Sequence, residues 1–121
     1  MRNAFSRVLL GLCSLVLALG AFAHARAFPR ASRAIASANI AAMYGNDFRA
    51  LWLADSTTLF TVAILCALVA IRPAATSKSL LTLIALIPAA TAVFIYTFVG
   101  NFYAGHLLLG AAVACAVAAR S

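Results

Sequence analysis

Asp55, His106 and Tyr96 are the side chains of this sequence best suited to chemistry at a shared place. A carboxylate, an imidazole and a phenol at one depth can form a proton relay, a cation site or a polar ligand contact, because each gives up its proton in a different pH range. The same residues have a plainer use. One interhelical hydrogen bond that fixes packing, or a carboxylate wetted by head-group water, would explain them equally. Cys13, Cys66 and Cys115 form a second set, an odd number with no CxxC spacing. Three converging thiolates would suit a soft metal, but free cysteine is also a small apolar residue that packs well. Without local ligand spacing, packing is the expected use, and no metal site and no cofactor are expected.

Neither set sits in a recognisable catalytic motif. HExxH, G-x-S-x-G, a P-loop and GxGxxG are all missing from the sequence. With two acidic residues in the whole chain, a carboxylate-rich metal site is excluded. Enzymatic activity is not expected.

The elements that must position these residues follow from composition. The chain has 121 residues, 66% hydrophobic and 9% charged, with a mean hydropathy of +1.08. A soluble domain carries about a quarter charged residues to cover itself in water. This chain cannot, so lipid is its expected solvent. Its formal charge of +7 would suggest nucleic acid in a soluble protein. Here the basic residues flank apolar runs, where they meet anionic head groups, and nucleic acid is not an expected partner.

Four apolar stretches approach the roughly 20 residues needed to cross a hydrocarbon core: 8–27, 50–71, 80–99 and 102–119. Pro73 stops the second, and Thr76, Ser77 or Ser79 can cap the third. Gly100-Asn101 makes a tight turn before the fourth. Short links of this kind hold neighbouring helices antiparallel. The expected fold is all-α: one integral membrane domain, a four-helix bundle with short loops. The long link, residues 30–45, is expected to hold an interfacial helix that runs from a Ser32 cap to Ala42 or Met43, ended by Gly45. Asn46 or Asp47 would then cap the second span. Trp52, Tyr44, Tyr103, Arg49, Arg72 and Lys78 are expected as membrane-interface anchors. Pro88, mid-way along the third span, should remove a backbone hydrogen bond and kink it.

The first stretch has a rival reading. Met1 to Arg7 is a basic lead, an apolar run follows, and Ala23-His24-Ala25 or Ala25-Arg26-Ala27 fits signal cleavage. The run is long for a signal and three remaining spans would want a fourth partner, so a retained span is the expectation. His24 is then interfacial. Arg2, Arg7, Arg72, Lys78 and Arg120 share one side, and Arg26, Arg30, Arg33 and Arg49 the other. Together with the uncharged turn between spans three and four, this leans towards both termini inside.

Alternating spans place Asp55 and His106 at one end, five and four residues into their spans. At 1.5 Å per residue both lie roughly 6–8 Å below their helix starts. Tyr96 heads a stripe of Ala92, Ala89, Pro88 and Ala85, and His106 one of Gly110 with Val113 or Ala114. Small residues let helices approach closely in lipid, so both stripes read as packing faces. Thr57 and Thr58 can bond back to their own helix and are less informative. The cysteines share a depth near the opposite end. Known small transporters fit poorly: the first span lacks the essential acid of small multidrug resistance transporters, and the phenylalanine-and-threonine signature of small fluoride channels is missing. The layout of Phe28-Pro29, an amphipathic stretch, then Asn46-Asp47-Phe48-Arg49-Ala50-Leu51-Trp52 resembles small bacterial membrane proteins and implies no activity.

The expected function is a non-enzymatic subunit or self-associating bundle in a bacterial inner membrane, with lipid and a membrane protein or a second copy as partners. The alternative is a small transporter or ligand-binding bundle using Asp55, His106 and Tyr96. A redox or cofactor-handling subunit using the histidines comes third.

Overall fold

A computed structural model describes residues 3–75 and 77–120. Thr76, one of the expected caps, and Arg2 of the basic lead lie outside the described residues. The chain forms α1 (Ala4–Arg26), α2 (Phe28–Ser37), α3 (Ala42–Ile71), α4 (Lys78–Phe98) and α5 (Tyr103–Arg120), with a 3-10 turn at Pro73–Ala75. Four of these, α1, α3, α4 and α5, are long and apolar enough to cross a membrane. The all-α, four-span class is therefore the observed one.

Local chemistry sets most of the helix ends. Asn3 accepts from the Ser6 amide at 2.9 Å and opens α1. Ser77 accepts from the Leu80 amide at 3.1 Å and opens α4, as its position after the turn suggested. Gly100 takes φ +91°, the left-handed conformation that a side chain resists, and reverses the chain between α4 and α5. α4 runs on through the buried Pro88 as one helix.

The long link departs from expectation. Its helix starts at Phe28, with Pro29 in the first turn where a missing amide costs nothing, and stops at Ser37. Asn39 ends it by adopting φ +52°, which asparagine tolerates better than most residues. α3 then begins at Ala42 and passes through Gly45, Asn46 and Asp47, so neither Asn46 nor Asp47 caps it. Gly45 serves contact instead of termination. A Cβ there would stand 3.4 Å from Ile35, and α2 rests on α3 at this point. Arg49 fastens the two from the side, donating to Ser32 Oγ at 2.8 Å and to Asn46 Oδ1 at 2.9 Å.

α1 is the joint of the bundle. It packs along α3 and along α5, α4 packs along α5, and α3 and α4 meet only slightly. The helices thus form a row, α3–α1–α5–α4, and not a closed ring. Three polar bonds fix the register of α1 on α3: Arg7 Nε to Ala70 O at 2.9 Å, Ser14 Oγ to Ala63 O at 2.8 Å, and Trp52 Nε1 to His24 O at 2.8 Å. As the first partner rises in number the second falls, which is antiparallel pairing.

Buried positions recur every three or four residues, the period of one helix face. They are Leu10, Cys13, Leu17 and Ala21 on α1, and Leu59, Val62, Cys66 and Val69 on α3. On α4 the face is Leu81, Ala85, Pro88 and Ala92, matching the expected stripe. On α5 it is not. Gly105, Leu108, Ala112, Cys115 and Ala119 are buried, whereas His106, Gly110 and Val113 are exposed. Each helical residue turns the side chain about 100° (3.6 per turn), so a one-position shift moves the whole stripe off the contact. Outside the seams, Leu12, Leu15, Leu19 and Phe22 on α1 and Leu83, Leu86 and Phe94 on α4 face outward. In water so much apolar surface would aggregate, whereas in lipid it is the ordinary exterior.

Two glycines separate close approach from open space. A Cβ on Gly105 would lie 3.0 Å from Tyr96 Cε1 and 3.3 Å from Ile95 Cγ2, while one on Gly20 would meet nothing within 4 Å. Gly105→Ala should therefore destabilise the detergent-solubilised protein, since overpacking costs about 1–3 kcal/mol and helix propensity returns at most about 1 kcal/mol. Gly20→Ala should hold or raise stability by up to about 1 kcal/mol. Thermal melts of the two variants followed by circular dichroism check the contrast.

Candidate functional site

The end of the bundle that carries the histidines holds two polar clusters, one on each helix pair. In the first, the His24 ring stacks on Trp52 with centroids 4.2 Å apart and planes 8° from parallel. His24 Nδ1 lies 2.8 Å from Ser56 Oγ, and Ser56 Oγ donates to Trp52 O at 3.1 Å. With the serine proton spent on that carbonyl, His24 Nδ1 carries its own hydrogen and donates to Ser56. Asp55 Oδ2 lies 3.8 Å from the same nitrogen, on a side chain 37% exposed. Asp55 is thus a flanking charge, and Ser56 is the hydrogen-bond partner.

The second cluster joins α4, the turn and α5. Tyr96 Oη is 2.7 Å from His106 Nδ1, and His106 Nε2 is 2.8 Å from Asn101 Oδ1. An amide oxygen only accepts, so Nε2 carries the hydrogen, and Tyr96 donates its hydroxyl proton to Nδ1. Both ring nitrogens are engaged, one by α4 and one by the turn, and the phenol crosses the seam that Gly105 leaves open. This chain of directional bonds can hold the turn closed.

The structure therefore joins Tyr96 to His106 and places Asp55 elsewhere, beside His24. The reason is the order of helices. α3 and α5 both pack on α1 more than on one another, so matching depth at this end of α3 and α5 does not bring Asp55 to His106. His24 and Ser56 are the functional candidates that depth alone did not single out. Their signal lay in the antiparallel numbering, which pairs 24 with 52–56 once 14 is set against 63.

The expected anchors divide in the same way. Tyr44 and Tyr103 are exposed, 57% and 67%, as are Arg72 and Lys78. Trp52 and Arg49 are half-buried and bonded to neighbouring segments. Thr57 and Thr58 bond back to the carbonyls of Leu53 and Ala54, both at 2.9 Å, and present nothing to a ligand. Near the other end of the bundle, Cys13, Cys66 and Cys115 are buried and face one another. No protein-family model matches the chain, and no curated protein or solved structure matches it either.

The sole tryptophan reports on the first cluster. His24→Ala removes its stacking partner and should change the emission of Trp52, with a stability loss of about 1 kcal/mol for the hydrogen bond to Ser56. His106→Ala should leave Trp52 emission as in the wild type. Fluorescence spectra of the two variants in detergent check whether the clusters are separate; an emission change in His106→Ala would show them coupled.

Proposed function

We propose that this chain is a non-enzymatic multi-pass membrane subunit that assembles with a second copy of itself or with another membrane protein. The observation that carries the reading is the open row. α3 and α4 meet only slightly, and each keeps an apolar outer flank, Phe60, Ile64 and Leu68 on α3 and Leu83, Leu86 and Phe94 on α4. Bundles in lipid gain stability from close helix contact, not from water exclusion, so flanks without a neighbour are the natural place for another helix. Both polar clusters spend their bonding groups on holding helices together, as befits a scaffold.

A bacterial inner membrane is the proposed location, with both termini on the cytoplasmic side. Arg7 reaches Ala70 O at 2.9 Å and Lys78 reaches Arg120 O at 3.4 Å. These basic ends are matched by Arg26, Arg30, Arg33 and Arg49 at the other end, so the orientation rests on the turn between α4 and α5, which carries no positive charge and suits the outer side.

A second reading, a small-ligand or proton-transfer bundle, has one specific observation behind it: the Asp55 carboxylate stands beside His24 on a side chain left partly open. Such a role would make Asp55→Asn lose function without losing stability.

Photo-cross-linking in native membranes tests the assembly. With the cross-linker at Phe60 or at Leu86, an adduct well above the 12.6 kDa of one chain is expected. Adducts to lipid alone at both positions would overturn the proposal.

A further inference from the structure

The geometry points to a buried three-sulfur site, Cys13 on α1, Cys66 on α3 and Cys115 on α5, that binds a soft monovalent metal ion of the Cu(I) type. The sulfurs lie 3.9 Å (Cys13–Cys66), 3.5 Å (Cys13–Cys115) and 3.6 Å (Cys66–Cys115) apart. With metal–thiolate bonds of about 2.3 Å, sulfurs at the corners of a trigonal plane are about 4.0 Å apart. The triangle therefore has to open by a few tenths of an ångström, which small changes in side-chain torsion supply. Exposure of the three residues is 4%, 0% and 0%, and they are all the cysteines the chain has.

Packing alone explains this poorly. The commonest small residue in the seams of this bundle is alanine, as at Ala63, Ala85, Ala92, Ala111 and Ala118. At one level three separate helices each replace that alanine with a thiol, and all three sulfurs turn to the same point. Cys13 Sγ has an additional contact, to Ala111 O at 3.6 Å.

The donor set selects the ion. Three sulfurs with no carboxylate or imidazole suit a soft ion. Structural zinc takes four ligands in a tetrahedron, and the metal-ligating cluster among the described residues stops at three. Cu(I) is content with three. Each sulfur that binds Cu(I) gives up its thiol proton, because the thiolate and not the thiol ligates a metal, so uptake releases protons to solvent and retention falls as pH falls.

One of the three sulfur residues also lines a surface groove. A groove of about 240 Å³ between α1 and α5 is lined by His106, Gly110, Ala111, Ala114, Val16 and Cys13. It runs from the end that carries His106 towards the sulfurs, and Gly110 leaves its wall low. The proposal is independent of how the chain assembles, because all three donors come from one chain.

The test uses the full chain, reduced and purified in detergent without oxygen, and titrated with Cu(I) supplied by a coloured chelator. One copper per chain, held against the chelator, is expected, with X-ray absorption showing three sulfur neighbours at about 2.3 Å. Cys13→Ala, Cys66→Ala and Cys115→Ala should each lose that retention while keeping wild-type helical content. Zn(II) should not displace the copper. Should a variant fail to fold, the wild-type absorption spectrum still decides. Copper uptake no greater than that of the triple alanine variant, a shell of nitrogen or oxygen neighbours, or a disulfide between two of the cysteines in place of metal would overturn the proposal.

Discussion

A peptide group in hydrocarbon has no water to bond with, so each spanning segment must satisfy its own backbone, and the α-helix is the form that does so alone. Once that is met, little drives the helices together except how closely their surfaces fit. The rest of the structure depends on this second, weaker constraint. It explains why the buried seams mix leucine and valine with so many small residues, alanine above all, and why α1 matters beyond its length. α3 and the α4–α5 hairpin have few contacts with each other. They are neighbours because both fit the same helix.

Polar side chains inside the bundle act as register marks. Ser14 and Arg7 on α1 find backbone carbonyls of α3, and the Trp52 indole finds one of α1. Each such bond contributes modestly, about 0.6 kcal/mol on average for side chains within a membrane. Spread along one helix pair they still decide which turn faces which. The Tyr96–His106–Asn101 chain does the same for the hairpin, over a seam that a single glycine keeps narrow. A residue can thus be ionisable, buried in part and well bonded while its work is geometric.

The number and rough extent of the spans were legible because lipid demands a composition that nothing else in the chain resembles. Ser77 and Gly100 were legible for local reasons, a hydroxyl that caps and a backbone that turns left-handed. What stayed hidden was rotation. Depth follows from counting residues, but facing depends on a turn of about 100° per residue and on which helices become neighbours. Hence the Tyr96 stripe was found and the His106 stripe missed by one position. Asp55 was matched to the right depth and the wrong helix. The cysteines show the converse: equal depth was visible, and only the three-dimensional order turned it into convergence. In the long link, Gly45 had the composition of a stop, but Asn39 was the residue that took the unusual backbone angle.

The seam between α1 and α5 has a temporal side. Cys13 meets partners 98 and 102 residues further along the chain. A ribosome feeding this protein into a bilayer delivers α1 before α3 and α4, and α5 after them. α1 and α3 can settle early. The flank of α1 destined for α5 must meanwhile wait against lipid, so this contact is postponed until α5 has entered the bilayer. A seam shared by the first and last of the four spanning helices makes the arrival of α5 a condition of its closure, and a chain cut before α5 would be left with that seam unsealed.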